Sequence, residues 1–331
     1  MVASPDGGQA QPLGCLGHLP DAGRVGGHAG VGQEDAQLHD VTPEEGCPIL
    51  ARASAPVNGA WTGPLAGARL ASPAKDGAVE GGPRKVALFV TCVVDALAPD
   101  TGAAVVRLLR RRDIQVLFPE GQGCCGQPAW NSGLVREAAM VARPTLRALA
   151  SALDRGAEAI VCPAGSCATM CRVYWPELFA AAGRAAEVDE ARRVGERLLE
   201  FSELMARLPA LPARPDGRRI ALHFSCHMLR ELGIRRQPAL LAERAGCSIV
   251  PWAGAERCCG FGGTFSVKLP ELSVAMAEEK LQELDDLAPQ LLVGCDTSCL
   301  LHLAGRARAR GRPLATAHLA ELLDKAEAAH G

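Results

Sequence analysis

Cysteine is the residue type in this sequence whose number and spacing point most directly to chemistry. The chain has 14 cysteines in 331 residues, and eight of them follow one arrangement that occurs twice. In each copy a single cysteine is followed, after 31 intervening residues, by a Cys-Cys-Gly triplet, and a fourth cysteine comes later. The first set is Cys92, Cys124, Cys125 and Cys167, and the second set is Cys226, Cys258, Cys259 and Cys299.

The two sets are related by a constant shift along the chain. Moving the sequence by 134 positions lays Cys92 on Cys226 and Cys124 on Cys258. The interval before the fourth cysteine is 41 residues in the first set and 39 in the second. A duplication is the simplest explanation, and it predicts two similar structural repeats with four thiols each.

Four thiols gathered from distant segments suit a metal centre, because a free thiol has a pKa near ~8.5 and a metal compensates for the charge of the thiolates. Zinc and iron–sulfur clusters both accept four thiolates. Zinc sites usually use Cys-x2-Cys pairs within one hairpin, whereas each set here spans about 75 residues and contains adjacent cysteines. Adjacent cysteines reach different irons of a cluster more easily than they reach one ion. The pattern therefore favours iron–sulfur, with zinc and metal-free redox thiols as the alternatives.

The segments around these cysteines resemble the cysteine-rich (CCG) domain iron–sulfur proteins, which include heterodisulfide reductase B-type subunits and glycolate oxidase iron–sulfur subunits. Within that family the chain looks most like the lactate utilization A proteins. The resemblance covers roughly Arg84 to the C-terminal helix and does not extend to residues 1–80. The strings that carry it are Phe89-Val-Thr-Cys92, Gly121-Gln-Gly-Cys124 through Gly133, Pro163-Ala-Gly-Ser-Cys167, Ser225-Cys-His-Met-Leu-Arg230 and Arg257-Cys-Cys-Gly through Lys268.

The resemblance implies an iron–sulfur electron-transfer subunit of a complex that oxidises L-lactate to pyruvate. The implied partners are a ferredoxin-type iron–sulfur subunit and a third lactate-utilization subunit, with a small 2-hydroxy acid as substrate of the complex. The family often ends its motif with Cys-x-x-Cys, but the first positions here are Ala164 and Asp296. Four cysteines per set then remain, so we expect two ordinary [4Fe–4S] clusters rather than a cluster with five ligands.

Two other functions stay open at this stage. One is the iron–sulfur subunit of a glycolate or glycerol-3-phosphate oxidase or of a heterodisulfide-reductase-like system; ferredoxin-type Cys-x2-Cys-x2-Cys-x3-Cys runs would favour the oxidases, and the sequence contains none. The other is a zinc-stabilised binding module without enzymatic activity. The sequence also leaves open whether the chain is a catalytic oxidoreductase subunit or only relays electrons.

Polar residues beside the second set invite a catalytic interpretation. His227 and Arg230 follow Cys226 closely, and a histidine with a cation could bind a 2-hydroxy acid and remove a proton. The alternative is that they hydrogen-bond to cluster sulfurs and tune the potential. The same alternatives apply to Lys268 and His302.

The remaining cysteines and glycines have simpler interpretations. The Gly260-Phe-Gly-Gly segment lacks the spacing of a phosphate-binding loop. We interpret its glycines as allowing close backbone packing around a cluster. Four further cysteines are interpreted as buried thiols that pack as small apolar side chains: Cys162, Cys171, Cys247 and Cys295.

Composition and charge argue against other classes of protein. The formal net charge is −2, so no basic field points to nucleic acid. Fourteen cysteines in a chain of this length do not resemble a short secreted disulfide scaffold. No apolar run approaches the ~18 residues of a transmembrane segment, and the first residues lack the features of a secretory signal. We expect a cytoplasmic protein, either free or peripheral to the membrane through its partners.

Residues 1–82 are rich in glycine, alanine and proline and have neither a helical nor a strand period. Such a segment cannot bury enough apolar surface to offset the entropy lost on ordering. We therefore predict a disordered extension at 1–82, a first repeat with a linker helix at 83–208 and a second repeat at 209–331. The extension contains five potential ligands that we interpret as incidental: Cys15, His18, His28, His39 and Cys47.

Strands and helices alternate in both repeats. Apolar runs at Lys85–Val90, Ala159–Val161 and Arg219–Phe224 predict buried parallel strands. Cysteines follow these strands directly, and ligands of parallel sheets lie at the carboxyl ends of strands. The predicted fold class is α/β: two tandem pseudo-symmetric βαβ repeats with parallel sheets, plus the disordered N-terminal extension.

Three expectations concern single elements. Residues 133–154 should form a helix that Pro144 breaks or restarts. A charged helical stretch, Ala185–Leu208, should link the repeats. Cys247–Trp252 should form the strand that precedes Cys258.

Overall fold

Two parallel sheets of four strands each organise the computed structural model, which describes residues 82–328. The predicted extension, with its cysteines and histidines, lies outside the described residues. The strands are β1 Lys85–Leu88, β2 Gln115–Leu117, β3 Ala159–Cys162 and β4 Leu198–Glu200 in the first repeat, and β5 Arg219–His223, β6 Ser248–Ile249, β7 Leu291–Gly294 and β8 Thr316–His318 in the second.

The two sheets have the same topology. Their strand orders are β2-β1-β3-β4 and β6-β5-β7-β8, and every pair of neighbours is parallel. Equivalent registers join Ala87 to Ile160 in the first sheet and Ala221 to Leu292 in the second. The predicted fold class, with two tandem repeats built on parallel sheets, is confirmed.

Helices alternate with these strands throughout. A π-helical segment, Met170–Tyr174, joins two helices of the first repeat, and a short 3-10 helix, Ala253–Glu256, follows β6. The α-helices of the first repeat are α1 Cys92–Leu97, α2 Pro99–Arg110, α3 Gln127–Trp130, α4 Val135–Asp154, α5 Gly165–Thr169, α6 Trp175–Ala181, α7 Ala185–Arg197 and α8 Phe201–Arg207.

The second repeat has fewer helices because its third strand leads into one long helix. In the first repeat that place is taken by a short helix, the π-helical segment and two further helices. The α-helices of the second repeat are α9 Cys226–Arg230, α10 Arg236–Arg244, α11 Thr264–Lys268, α12 Pro270–Leu287, α13 Thr297–Ala309 and α14 Leu319–Ala328.

Each sheet has one face on a core of its own repeat and one face on a core that both repeats share. In β5, Ile220 and Leu222 enter the shared core, whereas Ala221 packs in the core of the second repeat. Successive strand residues point to opposite faces, so both faces must be apolar. Helices α2, α8, α10 and α14 supply the helical part of the shared core.

The last helix of each repeat packs on the other repeat. Helix α14 lies against α2, and α8 lies against α10. Beside this contact, Arg112 in the turn after α2 forms a bidentate pair with Glu327 of α14, with N–O distances of 2.5 and 2.9 Å and side chains only 6% exposed. The two repeats therefore share a core in addition to the core that each has of its own.

Removing this pair should weaken the contact between the repeats. We expect Glu327→Gln to lower the free energy of unfolding by about 3 kcal/mol, because a buried guanidinium loses its partner. Urea unfolding followed by circular dichroism measures the change. As a control, Asp154→Asn removes the exposed pair with Arg193 (44% and 62% exposed) and should cost less than about 1 kcal/mol. Equal losses in both variants would contradict a buried, stabilising pair.

Two sequence expectations about helices were wrong. Helix α4 continues through Pro144 without a break. Pro144 is exposed, so the carbonyl that loses its helical donor is accessible to water. The stretch Ala185–Leu208 is not one helix, because Leu198–Glu200 forms β4 beside β3. Pairing with a buried neighbouring strand overrides the helical tendency of this charged segment.

The strand expected at Cys247–Trp252 is shorter than predicted. Only Ser248 and Ile249 form β6, although the Val250 N–H still donates to the Ile220 carbonyl at 2.8 Å. Pro251 follows and has no N–H to extend the ladder.

A buried carboxyl group caps α8. Burial raises the pKa of Glu200 to about 8. One oxygen accepts the Ser202 N–H at 2.8 Å, and the other has no hydrogen-bond partner among the described residues. The folded state therefore holds a proton here that the unfolded chain releases near pH 4.5.

The raised pKa of Glu200 predicts how the stability of the protein changes with pH. Between about pH 4.5 and 8 the folded state binds more protons at Glu200 than the unfolded state, so stability falls as pH rises, by at most about 1.4 kcal/mol per unit. Glu200→Gln keeps a neutral acceptor and should become more stable relative to the parent as pH rises from 5 to 8. Thermal unfolding across this range tests it, and parallel pH profiles for both proteins would contradict it.

Candidate metal centre

The eight repeated cysteines all follow the carboxyl ends of strands. In the first repeat, Cys92 begins α1 directly after β1, and Cys167 lies in α5 after β3. In the second repeat, Cys226 begins α9 after β5, and Cys299 lies in α13 after β7. The Cys-Cys pairs lie in the loops after β2 and β6. These are the places where parallel sheets bind ligands.

One cavity of about 160 Å³ is lined by both sets of cysteines together. The described part of the chain contains twelve cysteines, all free, and the eight predicted ligands all line this cavity. The other four, Cys162, Cys171, Cys247 and Cys295, are buried and are not among its lining residues. The fold therefore brings to the cavity the same eight cysteines that share the repeated spacing, and it leaves the other four outside the cavity lining.

In the first set the thiols contact one another. The Sγ atoms of Cys125 and Cys167 are 3.4 Å apart, and the Gly126 N–H points to Cys124 Sγ at 3.4 Å. Hydrogen bonds from the Cys125 and Cys92 thiols lower the pKa of Cys124 to about 3. The same bonds, with burial, raise the pKa of Cys92 and Cys125.

The second set repeats this arrangement. Cys226 and Cys258 have their Sγ atoms 3.8 Å apart, and those of Cys259 and Cys299 are 3.0 Å apart. Thiol donors lower the pKa of Cys258 to about 2, while that of Cys226 is raised. Backbone N–H groups of Gly260 and Phe261 point to the sulfurs of Cys258 and Cys259, each at 3.4 Å.

The glycine after each Cys-Cys pair is required by the backbone. Gly126 and Gly260 have φ values of 88° and 89°, which L side chains rarely adopt. A Cβ atom at Gly126 would lie 2.7 Å from the Ala138 carbonyl oxygen, and one at Gly260 would lie 2.6 Å from that of Ser273. Each loop thus packs directly on the backbone of the following helix.

An alanine at Gly126 should therefore displace the loop that carries Cys124 and Cys125. We expect Gly126→Ala to lose roughly half of the bound iron, since only the first set is disturbed. Iron per chain after anaerobic purification measures this. Gly133→Ala is the matched control, because Gly133 has φ 76° but no atom within 4 Å of an added Cβ. It should cost only about 1–2 kcal/mol of backbone strain and keep its iron; equal loss in both variants would contradict the packing argument.

The two repeats meet between the two cysteine sets. Ala164 and Asp296, which are equivalent positions of the repeats, form an antiparallel bridge with each other. Beside it the Gly165 N–H donates to the Cys295 carbonyl at 3.0 Å, and the Ser166 N–H donates to Asp296 Oδ2 at 2.9 Å. The segments that carry the fourth cysteines of both sets are thus hydrogen-bonded to each other.

The polar residues predicted beside the second set occupy different environments. His227 lines the cavity, with Nδ1 3.7 Å from Glu231 Oε2 and its ring edge-on to Tyr174. Arg230 is exposed at the end of α9, and its charge lowers the pKa of Cys226 against the larger opposing effects there. Their catalytic role stays a prediction.

The other two polar residues lie further out. Lys268 is exposed on α11. His302 is half-buried, with Nε2 3.3 Å from Ser273 Oγ, and burial lowers its pKa.

Sequence reasoning missed two buried residues beneath the second set. His223 is 2% exposed, and its ring offers a nitrogen that lies within 4.8 Å of the sulfurs of Cys259 and Cys299. Lys280 is 1% exposed. Burial lowers its pKa to about 8, and the electrostatic effect of the same two cysteines opposes this shift. A comparison of the two repeats could have found both residues. The 134-residue shift aligns His223 with Phe89 and Lys280 with Leu146, so each polar residue stands where the first repeat has an apolar one.

The fold and the site define a duplicated α/β protein with a cavity lined by cysteines, and sequence comparison gives its family. The sequence model of the CCG cysteine-rich domain matches residues 86–172 and 220–304. The lactate utilization protein A of Anoxybacillus flavithermus is 40% identical over 243 residues, covering 72% of this chain and 98% of that protein. The lactate utilization protein A of Bacillus subtilis is 38% identical over 245 residues, covering 72% of this chain and 99% of that protein. The chain belongs to the cysteine-rich (CCG) domain family.

A solved structure supports the fold independently. A hypothetical protein from Helicobacter pylori superposes with a TM-score of 0.51 at 11% identity, covering 75% of this chain and 51% of that one. At this identity the likeness concerns the fold alone.

The donor set fits iron–sulfur clusters. Each set places four thiols on the cavity, and an imidazole nitrogen of His223 lies within 4.8 Å of two sulfurs of the second set. Backbone N–H groups point to three of the sulfurs, and such hydrogen bonds set cluster potentials. Hydrogen bonds from neighbouring thiols lower the pKa of Cys124 and Cys258, and a metal binds cysteines in their deprotonated form.

Proposed function

We propose that the chain binds two [4Fe–4S] clusters, one on each cysteine set, and transfers electrons in the oxidation of L-lactate to pyruvate. The observation that supports this most directly is the single cavity lined by all eight repeated cysteines. The name of the relatives supports the lactate system. Bound clusters would supply one-electron transfer.

The residues of the chain would hold the clusters and limit access to them. Four thiols in each set bind iron, and the N–H groups of Gly126, Gly260 and Phe261 donate to ligand sulfurs. The bridge between Ala164 and Asp296 holds the two sets in one cavity. Because both sets line that cavity, the two clusters of this proposal would be adjacent to each other.

His227 is the residue best placed to act on a substrate. It lines the cavity, and Glu231 lies beside its Nδ1. Imidazole in this position can accept the hydroxyl proton of a 2-hydroxy acid, or it can donate a hydrogen bond to a ligand sulfur.

The partners in this proposal are a ferredoxin-type iron–sulfur subunit and a third lactate-utilization subunit in the cytoplasm. Among the helices between residues 82 and 328, none has the length and apolar character needed to cross a membrane. Any attachment to the membrane in this proposal would come through the partners.

Metal and sulfide content test the proposal directly. After anaerobic purification we expect about eight irons and eight acid-labile sulfides per chain. Cys124→Ser and Cys258→Ser should each lose roughly half, because each removes the stabilised thiolate of one set. Cys247→Ser is the control and should retain both clusters, since Cys247 does not line the cavity.

One alternative has an observation in its favour. The group His223, Cys259 and Cys299 has the mixed nitrogen and sulfur donors of a zinc site. Zinc without sulfide in the purified protein would therefore contradict the electron-transfer role and leave a zinc-stabilised module.

A further inference from the structure

The two repeats differ where helices of opposite repeats meet at the cavity. On one side α5 contacts α9, and on the equivalent side α13 contacts α1. Gly165 of α5 leaves no space for a side chain, because a Cβ atom there would lie 2.6 Å from Met228 Cβ and 2.9 Å from Ser225 Oγ. The equivalent position of α13 is Thr297. Because this residue has a Cβ atom, α13 must lie further from α1 than α5 lies from α9.

The wider side carries two hydroxyl groups, one from each repeat. They belong to Thr91, directly before α1, and to Thr297, the first residue of α13. Both residues line the cavity, and they are 2% and 5% exposed. Neither hydroxyl makes a hydrogen bond to any residue between 82 and 328. Since a buried hydroxyl without a partner costs free energy, both positions indicate an acceptor that the cavity binds.

The backbone of Thr91 supports a functional role for its side chain. Its φ of 71° and ψ of 149° lie in a region that β-branched residues rarely adopt. The chain is held there from both sides, because the Val90 N–H donates to Gln122 Oε1 at 2.9 Å and the Thr91 carbonyl accepts the Asp95 N–H at 3.0 Å. Strain of this kind persists where the surrounding structure fixes it, and it is concentrated at functional sites.

Two other hydroxyls on the cavity lining are already engaged by the protein. Ser225 is the equivalent of Thr91, but its φ of −64° is ordinary, and its Oγ accepts the Met228 N–H at 3.4 Å as the cap of α9. The Ser298 hydroxyl donates to Asp296 Oδ1 at 2.5 Å. The two threonine hydroxyls therefore differ from these serines in having no acceptor in the described part of the chain.

The place of each threonine in the chain indicates the acceptor. Thr91 directly precedes the predicted ligand Cys92, and Thr297 lies two residues before the predicted ligand Cys299. Each hydroxyl is thus held beside a different cysteine set, where a bound cluster presents sulfurs that accept hydrogen bonds. A carboxylate substrate fits these hydroxyls less well, because the described residues that line the cavity include no lysine or arginine to pair with its charge.

We propose that the hydroxyls of Thr91 and Thr297 donate hydrogen bonds to cluster sulfurs, Thr91 at the first set and Thr297 at the second. An added electron makes a cluster more negative, so a donor stabilises the reduced form more than the oxidised form and raises the reduction potential. The strained backbone of Thr91 and the wider contact between α13 and α1 then serve to place these donors. This inference rests on the proposed function, because it requires a cluster on each set.

Redox titration of the anaerobically purified full chain, followed by electron paramagnetic resonance, tests the proposal. Thr91→Val and Thr297→Val replace each hydroxyl by a methyl group of similar size. Thr91→Val should lower the midpoint potential of the signal that Cys124→Ser removes, and Thr297→Val that of the signal that Cys258→Ser removes. The expected change is roughly threefold in the equilibrium constant for reduction, which is about 28 mV for a one-electron couple. Thr91→Ser keeps the hydroxyl and should keep the parent potential.

Resonance Raman spectroscopy gives a second measurement, which a loss of stability does not change. The Fe–S stretching bands of the parent protein should shift on exchange into D2O, because the protons of the donors exchange. Part of this shift should disappear in each valine variant. Thr101→Val is the control, since Thr101 is fully buried in α2 and its hydroxyl donates to Glu321 of α14. It should change neither potential and keep the full isotope shift.

Three results would contradict the proposal. One is unchanged potentials in valine variants that keep their iron and sulfide, and another is an equal change of potential in Thr101→Val. The third is a parent spectrum without any isotope shift, which would overturn the proposal even if no variant folds. Absence of iron and sulfide in the parent protein would instead overturn the proposed function together with this inference.

Discussion

The short antiparallel contact between the two repeats is the constraint on which the site depends. Ala164 pairs with Asp296, and the Gly165 N–H donates to the Cys295 carbonyl. Each of these segments lies between the end of a strand and the fourth cysteine of a set. Because equivalent positions pair with each other, the contact lies on the pseudo-two-fold axis, and both cysteine sets open into one cavity.

The packing of the two repeats on each other also supports that contact. Helices α8 and α14 each cover the other repeat, and the shared core fills the space between the sheets. The Arg112–Glu327 pair adds an ionic contact between the turn after α2 and helix α14. A frame of this kind fixes the distance between the two cysteine sets.

Much of the site could be predicted from the sequence because its signal is periodic. The repeated arrangement of cysteines identified the same eight that line the cavity, and apolar runs identified β1, β3 and β5. Strand β4 could not be predicted, since its three residues are within a charged helical segment and pair only through the fold. His223 and Lys280 were missed because their meaning depends on burial, which becomes visible only when each is compared with its apolar counterpart.

The exchange of helices α8 and α14 has a consequence for the origin of this architecture. A single repeat on its own would expose the apolar face that its partner's last helix now covers, and its cysteines would line only half of the cavity. An ancestor with one repeat would therefore have needed to associate as a symmetric homodimer with two identical centres. Fusion of two copies into one chain removes that symmetry requirement, so the second cysteine set alone can have a buried histidine and a buried lysine beside it.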